Sequence, residues 1–206
     1  MNSPSPSLTR LAILRTIGSL HTEPLQYDLN RLKALVMQVS PDLLCADLTL
    51  DAWESGNLIH SSVEIREALV PAIGLTDTIL LPIAPTSQQF ADYRSPAGLR
   101  TWLSKRLDRM MRWGQRKANS LEAIHGMVFQ TYCHTICAFE EMTWDKEDRK
   151  AFQTRTEALA ENILTAIERD PGSRVLVVIQ CQWHHALEPL LKTKAPWLEI
   201  VDYQDL

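Results

Sequence analysis

The first part of the chain combines short apolar runs with a segment of helical periodicity. Residues 11–17 form a run rich in branched side chains that stops at Gly18, which predicts a buried strand. In residues 25–39, apolar side chains recur at the three-and-four spacing of one helix face. Residues 42–48 form a second apolar run. A strand, a helix and a strand in this order are the unit from which parallel sheets are built.

The second half changes character. Few strand signals or helix breakers occur between about residues 97 and 169, which predicts two or three helices there. A helix-like segment at residues 63–70 and another near residues 186–192 complete the helical pattern. Three further segments are predicted as strands, at residues 78–83, 174–180 and 197–203. We therefore predict a single α/β domain over residues 1–206, a mostly parallel sheet flanked by helices, with a helical insertion at about 97–169.

Composition narrows the class of protein. The 206 residues are 45% hydrophobic, enough for one sizeable core without disulfides or a structural metal. With 21 basic and 25 acidic residues the net charge is −4, which argues against general affinity for nucleic acid. The longest apolar run, residues 175–179, is far short of the roughly 20 residues that span a membrane. The start of the chain lacks the pattern of a secretory signal, so we expect a cytoplasmic protein.

Cysteine and glycine usage excludes two common kinds of site. The four cysteines lack paired zinc-ligand spacing, and Cys133 and Cys137 are one helical turn apart, so buried free thiols are expected. With only 7 glycines, the chain contains neither a Walker loop nor a GxGxxG motif.

Side chains capable of chemistry follow three predicted strands. They are His21 after the first strand, Asp47 at the end of the second, and His184 and His185 after residues 174–180. Since the ligand crevice of an open α/β sheet lies at the carboxyl ends of its strands, neighbouring strands would bring these groups together. Two imidazoles and a carboxylate can bind a divalent metal, so His21, Asp47 and His184 are candidate metal ligands. Without metal they could perform acid/base chemistry or bind an anion.

Each of these residues also has a structural interpretation. A histidine after a strand is commonly a solvated loop residue or a helix-cap partner, and Asp47 could simply cap the next element. Glu23 could be a second carboxylate or a first-turn helix acid. Cys181 lies beside His184 and could be a nucleophile, although a cysteine at a buried strand end is usually inert.

The order of these residues resembles the superfamily of Tiki, TraB/GumN, ChaN-like and erythromycin-esterase-like proteins. Its members share two GxxH motifs, a carboxylate after the second strand, and an arginine in the helix before the second motif. Here residues 18–21 match the first motif, and Arg155 begins a similar helix. The chain departs from the pattern in the second motif, residues 181–184, where Cys181 replaces glycine. It also departs at Asp47, where glutamate is usual.

The resemblance implies metal-dependent peptidase activity, esterase-like hydrolysis or haem binding, depending on the branch. It implies catalytic roles for His21, Asp47, Arg155 and His184, with Arg155 binding an anion or stabilising the transition state. Ligand contacts would come from Gly18, Ser19, Glu23, Cys181 and His185. The first hypothesis is thus a hydrolase acting on a small molecule or peptide. The alternative is a non-catalytic protein that binds haem or another cofactor in the same crevice.

Two helical features have competing interpretations. Seven basic residues lie between positions 100 and 117, with Trp102 and Trp113 among them. They could bind phosphates or an acidic partner, but a solvated face above an apolar core stripe is the favoured interpretation. Tyr132, Cys133, His134 and Cys137 could ligate haem iron, but helix-core packing is again favoured, since no CxxCH motif is present.

Overall fold

The computed structural model describes residues 9–85 and 99–206. The strands are β1 (Arg10–Thr16), β2 (Leu43–Thr49), β3 (Ile79–Ala84), β4 (Arg174–Gln180) and β5 (Glu199–Val201). They form one five-stranded sheet in the order β3-β2-β4-β1-β5, and every pairing is parallel. The predicted parallel α/β architecture is therefore confirmed.

Eight α-helices lie in the described part of the chain. They are α1 (Leu29–Val39), α2 (Leu50–Glu54), α3 (Val70–Ile73), α4 (Leu99–Ala118), α5 (Leu121–His125), α6 (Met127–Thr143), α7 (Lys146–Arg169) and α8 (Cys181–Lys194). A 3₁₀ turn spans Gly18–Thr22, and a π-helical turn spans Ile65–Leu69. Helices α4 to α7 separate β3 from β4 and form the predicted insertion. Within the described residues no helix is long and apolar enough to cross a membrane.

The sheet is covered on both faces, which explains why its central strands are continuous apolar runs. In β4, Val175, Val177 and Ile179 pack in one core cluster, whereas Leu176 and Val178 pack in the other. This alternation is the period of two that a strand imposes. Helices α7 and α8 cover the first cluster, and α1 with α4 to α6 supply much of the second.

Element boundaries differ from the sequence-based expectations at two helices. Helix α1 begins at Leu29 rather than near residue 25, because the Asp28 side chain caps it by accepting a hydrogen bond from the Arg31 N–H at 2.8 Å. Helix α8 begins at Cys181, directly after β4, rather than near residue 186. Residues 181–185 therefore lie on the first turns of a helix instead of in a loop.

The basic helix α4 packs against the core through a narrow apolar stripe. Leu107 and Met111 are buried, but Leu103 and Met110 are exposed, as are Trp102 and Trp113. The four cysteines are free and buried, as expected.

Close packing between α4 and α6 makes Gly114 sensitive to substitution. A Cβ atom at Gly114 would lie 2.2 Å from the Tyr132 ring, which must then rotate away and lose the bond from its hydroxyl to the Met110 carbonyl. We expect Gly114→Ala to lower the free energy of unfolding by about 1–3 kcal/mol, measured by urea denaturation. Gly74→Ala is the control, because a Cβ there meets nothing closer than 3.8 Å and the backbone is helical at φ −63°. Equal stability of the two variants would contradict this packing.

Candidate functional site

The carboxyl ends of β2, β4 and β1 lie side by side, because β4 pairs with both of the other strands in parallel. Two pockets open at this edge of the sheet. The Asp47 pocket has a volume of about 580 Å³ and is lined by residues that include Asp47, Thr49, Asp51, Asn57, His60 and Arg155. The Glu64 pocket has a volume of about 340 Å³ and is lined by residues that include Gly18, Ser19, Glu64, Gln115, Cys181 and Gln182.

Asp47 and Arg155 are in direct contact in the Asp47 pocket, although 108 residues separate them in the chain. The Arg155 Nη2 donates to Asp47 Oδ1 at 2.8 Å and to Oδ2 at 3.0 Å. About a quarter of each side chain is exposed, 24% for Asp47 and 23% for Arg155. The ion pair is therefore shielded from bulk water but open to a molecule in the pocket.

Aromatic side chains hold the Arg155 guanidinium in place. Its central carbon lies 5.0 Å from the centre of the Trp183 ring, a cation–π distance. Trp183 in turn stacks on Phe152, with ring centres 4.8 Å apart and planes 9° from parallel. Because Phe152 and Arg155 lie on α7 and Trp183 on α8, the packing of these two helices sets the position of the charge.

His21 faces the protein interior and lines neither pocket. It is 2% exposed and lies in the 3₁₀ turn after β1. Gly18 begins this turn with a positive φ of 63°, a conformation that favours glycine. The His21 Nε2 accepts a hydrogen bond from the Ile17 N–H at 3.2 Å, and the His21 Nδ1 lies 2.8 Å from the Tyr27 carbonyl. Nε2 is therefore unprotonated and Nδ1 carries the proton. Burial lowers the pKa of His21, which favours this neutral form.

His184 and His185 face acidic partners away from both pockets. His184 Nε2 lies 3.0 Å from Glu188 Oε2, in a separate pocket of about 250 Å³ that Arg15 and His125 also line. His185 Nε2 lies 2.7 Å from Glu141 Oε1. The hydrogen bond with His184 is the main cause that lowers the pKa of Glu188 to about 2. The first contact lies within α8 and the second joins α8 to α6, so both histidines have structural partners.

The structure does not bring His21, Asp47 and His184 together as predicted. Nowhere in residues 9–85 and 99–206 do three His, Cys, Asp or Glu side chains form a group that could hold a metal ion. The physical reason is direction: the three strand ends are neighbours, but the 3₁₀ turn directs His21 inward and α8 directs His184 toward Glu188. With both ring nitrogens bonded to backbone, His21 also offers no lone pair to haem iron. Neither a metal held by these three residues nor haem on His21 fits this arrangement.

The predicted ligand-binding residues divide into two groups. Gly18, Ser19 and Cys181 line the Glu64 pocket. Cys181 Sγ accepts a hydrogen bond from Gln115 Nε2 at 3.0 Å, and the bond to Cys133 together with burial raises the Cys181 pKa well above its usual value. A thiol in this state is a poor nucleophile. Glu23 lies in neither pocket and forms an exposed ion pair with Arg116 at 2.6 Å.

Glu64 is a residue of the crevice that the sequence alone does not single out. It is 2% exposed, and neither carboxylate oxygen has a hydrogen-bond partner among the described residues. The local sequence around Glu64 does not indicate burial. Ser61 precedes Glu64 by three positions, which is the spacing of a capping box, and the glutamate of a capping box lies at a helix surface.

The candidate site is therefore a crevice of two pockets, one with an ion pair and one with a buried carboxylate. Of the four predicted catalytic residues, only Asp47 and Arg155 meet. Comparisons with protein-family models, with curated proteins and with solved structures found no match for this chain.

Proposed function

We propose that the protein is a cytoplasmic hydrolase that acts on a small molecule or peptide in the Asp47 pocket, without a metal held by His21 or His184. The observation that carries the proposal is the contact between Asp47 and Arg155 on the wall of this pocket. The resemblance to the Tiki, TraB/GumN, ChaN-like and erythromycin-esterase-like proteins supports it, since it implies that these two residues act in one site. The four buried free cysteines support a reducing compartment.

Asp47 is the proposed general base. A carboxylate oxygen takes a proton from a water molecule, and the water oxygen bonds to the substrate carbonyl carbon. When the bond to the leaving group breaks, Asp47 returns the proton to that group, so the net reaction adds one water to one ester or amide. The two hydrogen bonds from Arg155 keep the carboxylate in one orientation, which a general base requires.

Arg155 has a second proposed role through its charge. Negative charge develops on the carbonyl oxygen as water attacks, and a guanidinium fixed on the pocket wall stabilises it. Such stabilisation costs no reorganisation when the charge is already held in place, as the stacking of Trp183 and Phe152 holds it here. The pocket volume of about 580 Å³ lies within the range typical of small-molecule sites.

The test compares wild type with Asp47→Asn on a panel of chromogenic esters and aminoacyl amides. We expect Asp47→Asn to lower kcat/KM by about 100-fold or more, since the amide cannot accept the proton. Arg155→Lys keeps the charge but loses the planar contact, so we expect a loss of at least about 10-fold.

Glu54→Gln is the matched control, because Glu54 is an exposed acid on the neighbouring helix α2 and should retain full activity. Circular dichroism and urea denaturation establish that each variant is folded. Hydrolysis that persists in Asp47→Asn, or a wild type inactive on the whole panel, would contradict the proposal and favour the non-catalytic alternative.

A further inference from the structure

Glu64 is a charged group in an environment that does not explain it. Its carboxylate is buried at 2% exposure and lines the Glu64 pocket without a hydrogen-bond partner in the described part of the chain. Removing a carboxylate from water without a partner is costly, so buried charges are normally paired. A buried, unpartnered carboxylate at the wall of a pocket points to a ligand that supplies the missing donors.

The other charges around the pocket do not compensate Glu64. Arg112 lines the pocket, but its Nε donates to both carboxylate oxygens of Asp108, at 3.2 and 3.3 Å. Behind Glu64, the His21 ring is occupied by two backbone groups, and the Tyr27 hydroxyl donates to the Arg15 carbonyl at 3.0 Å. The charges of Asp108 and Arg112 cancel, so the described charged side chains of the pocket sum to one negative charge. This charge favours a cationic ligand group.

Where β4 passes into α8, the wall of the Glu64 pocket favours an anion rather than a cation. This 14-residue helix begins at Cys181, and no side chain among the described residues caps its N-terminus. The pocket includes Gln180, Cys181 and Gln182, so the first turn of α8 forms part of its wall. Backbone N–H groups and the helix dipole make such a terminus favourable for a carboxylate. One pocket therefore offers a carboxylate to a cation and a helix N-terminus to an anion.

We infer that the Glu64 pocket binds a small zwitterion, a molecule with a primary ammonium group held by Glu64 and a carboxylate at the N-terminus of α8. The volume of about 340 Å³ equals roughly ten water molecules at about 30 Å³ each, which suits a compact organic molecule rather than a bare ion. The hydroxyls of Ser19 and Ser62 and the amide of Gln115 provide further hydrogen bonds. This site is separate from the ion pair of Asp47 and Arg155, and the inference does not depend on hydrolase activity.

Isothermal titration calorimetry of the full chain tests the inference with a length series: glycine, β-alanine, 4-aminobutyrate and 6-aminohexanoate. We expect at least one member to bind wild type, and Glu64→Gln to weaken that binding by at least 10-fold. The substitution keeps the size and polarity of the side chain and removes its charge. Glu67→Gln is the matched control, because Glu67 is exposed on the π-helical turn that directly follows Glu64 and should leave the affinity unchanged.

Wild type alone provides a second test that does not depend on the folding of any variant. Butylamine and butyrate each retain one charged end of 4-aminobutyrate. We expect the best-binding zwitterion to bind more tightly than butylamine, and butylamine more tightly than butyrate. The inference would be overturned if no member of the series bound. It would also be overturned if butylamine bound as tightly as the best zwitterion, or if folded Glu64→Gln bound that zwitterion with unchanged affinity. Stoichiometric binding of Mg²⁺ or K⁺ that excludes the zwitterion would also overturn it.

Discussion

Lowering the pH from 7 to 5 is expected to destabilise the fold by about 1–2 kcal/mol through His125 alone. His125 Nε2 accepts a hydrogen bond from the Arg15 N–H at 3.2 Å. Burial, followed by the nearby Arg15 charge, lowers its pKa from 6.5 to about 3. At pH values between these two pKa values, His125 of the unfolded chain binds a proton that His125 of the folded chain does not. The free energy of unfolding therefore falls as the pH falls from 7 to 5. A difference of one bound proton changes the free energy of unfolding by about 1.4 kcal/mol per pH unit, and the partial exposure of the His125 ring reduces this change.

The experiment measures the free energy of unfolding by urea denaturation at pH 7, 6 and 5. His125→Gln keeps an amide oxygen that can accept the Arg15 N–H but cannot titrate, so its pH dependence should be flatter by up to one proton. His60→Gln is the control, since His60 is exposed and should leave the wild-type slope unchanged. Burial also lowers the pKa of His21, which adds destabilisation of the same sign in all three proteins. A His125→Gln variant that loses as much stability as wild type would refute the assignment.

The contacts of Arg15 with His125 explain why this charged residue is tolerated inside β1. It is 6% exposed, and its Nη2 donates to the His125 carbonyl at 2.6 Å, so one side chain contacts the start of the α5–α6 connection. The His125 ring in turn accepts a hydrogen bond from the Arg15 N–H. The sequence indicates the buried strand and its internal arginine, but the partner lies 110 residues away and has no local signal.

The sheet was predictable because burial on both faces leaves a direct trace in the sequence. Residues 175–179 form an uninterrupted apolar run, and β4 contains this run and lies at the centre of the sheet. The contact of Asp47 with Arg155 was not predictable, because 108 residues separate the two and neither has a local signal for the other. The resemblance implies only that both residues belong to one site. The start of α8 was not predictable, because the polar residues after β4 carry no cap or breaker that marks a helix.

The direction of side chains was the main limit. Parallel strands place their carboxyl ends at one edge, but each turn after a strand decides which way the next side chain faces. His21 turns inward because the backbone groups of Ile17 and Tyr27 lie on either side of its ring. Glu64 turns inward although its local spacing matches a surface cap. Neither outcome is marked by residue type, since the partners of His21 are backbone groups only four and six positions away.

His21→Ala is therefore expected to act on stability rather than on a metal or a reaction. The substitution removes a 2% exposed ring, its edge contact with Tyr27 at 4.6 Å, and two hydrogen bonds to backbone. The Ile17 N–H and the Tyr27 carbonyl would remain buried without partners, at about 1–3 kcal/mol each. With the cavity included, we expect the free energy of unfolding at pH 7 to fall by about 3–4 kcal/mol, measured by urea denaturation.

Two further variants separate this structural role from general sensitivity to histidine loss. His21→Asn can still donate to the Tyr27 carbonyl but cannot accept from the Ile17 N–H, so its loss should be intermediate. His60→Ala, at an exposed position on the wall of the Asp47 pocket, should change stability by less than about 0.5 kcal/mol. If His21→Ala were as stable as wild type, the hydrogen bonds that hold the ring inward would be insignificant. His21 would then be free to turn toward the crevice, and the sequence-based assignment of His21 as a catalytic residue would regain its basis.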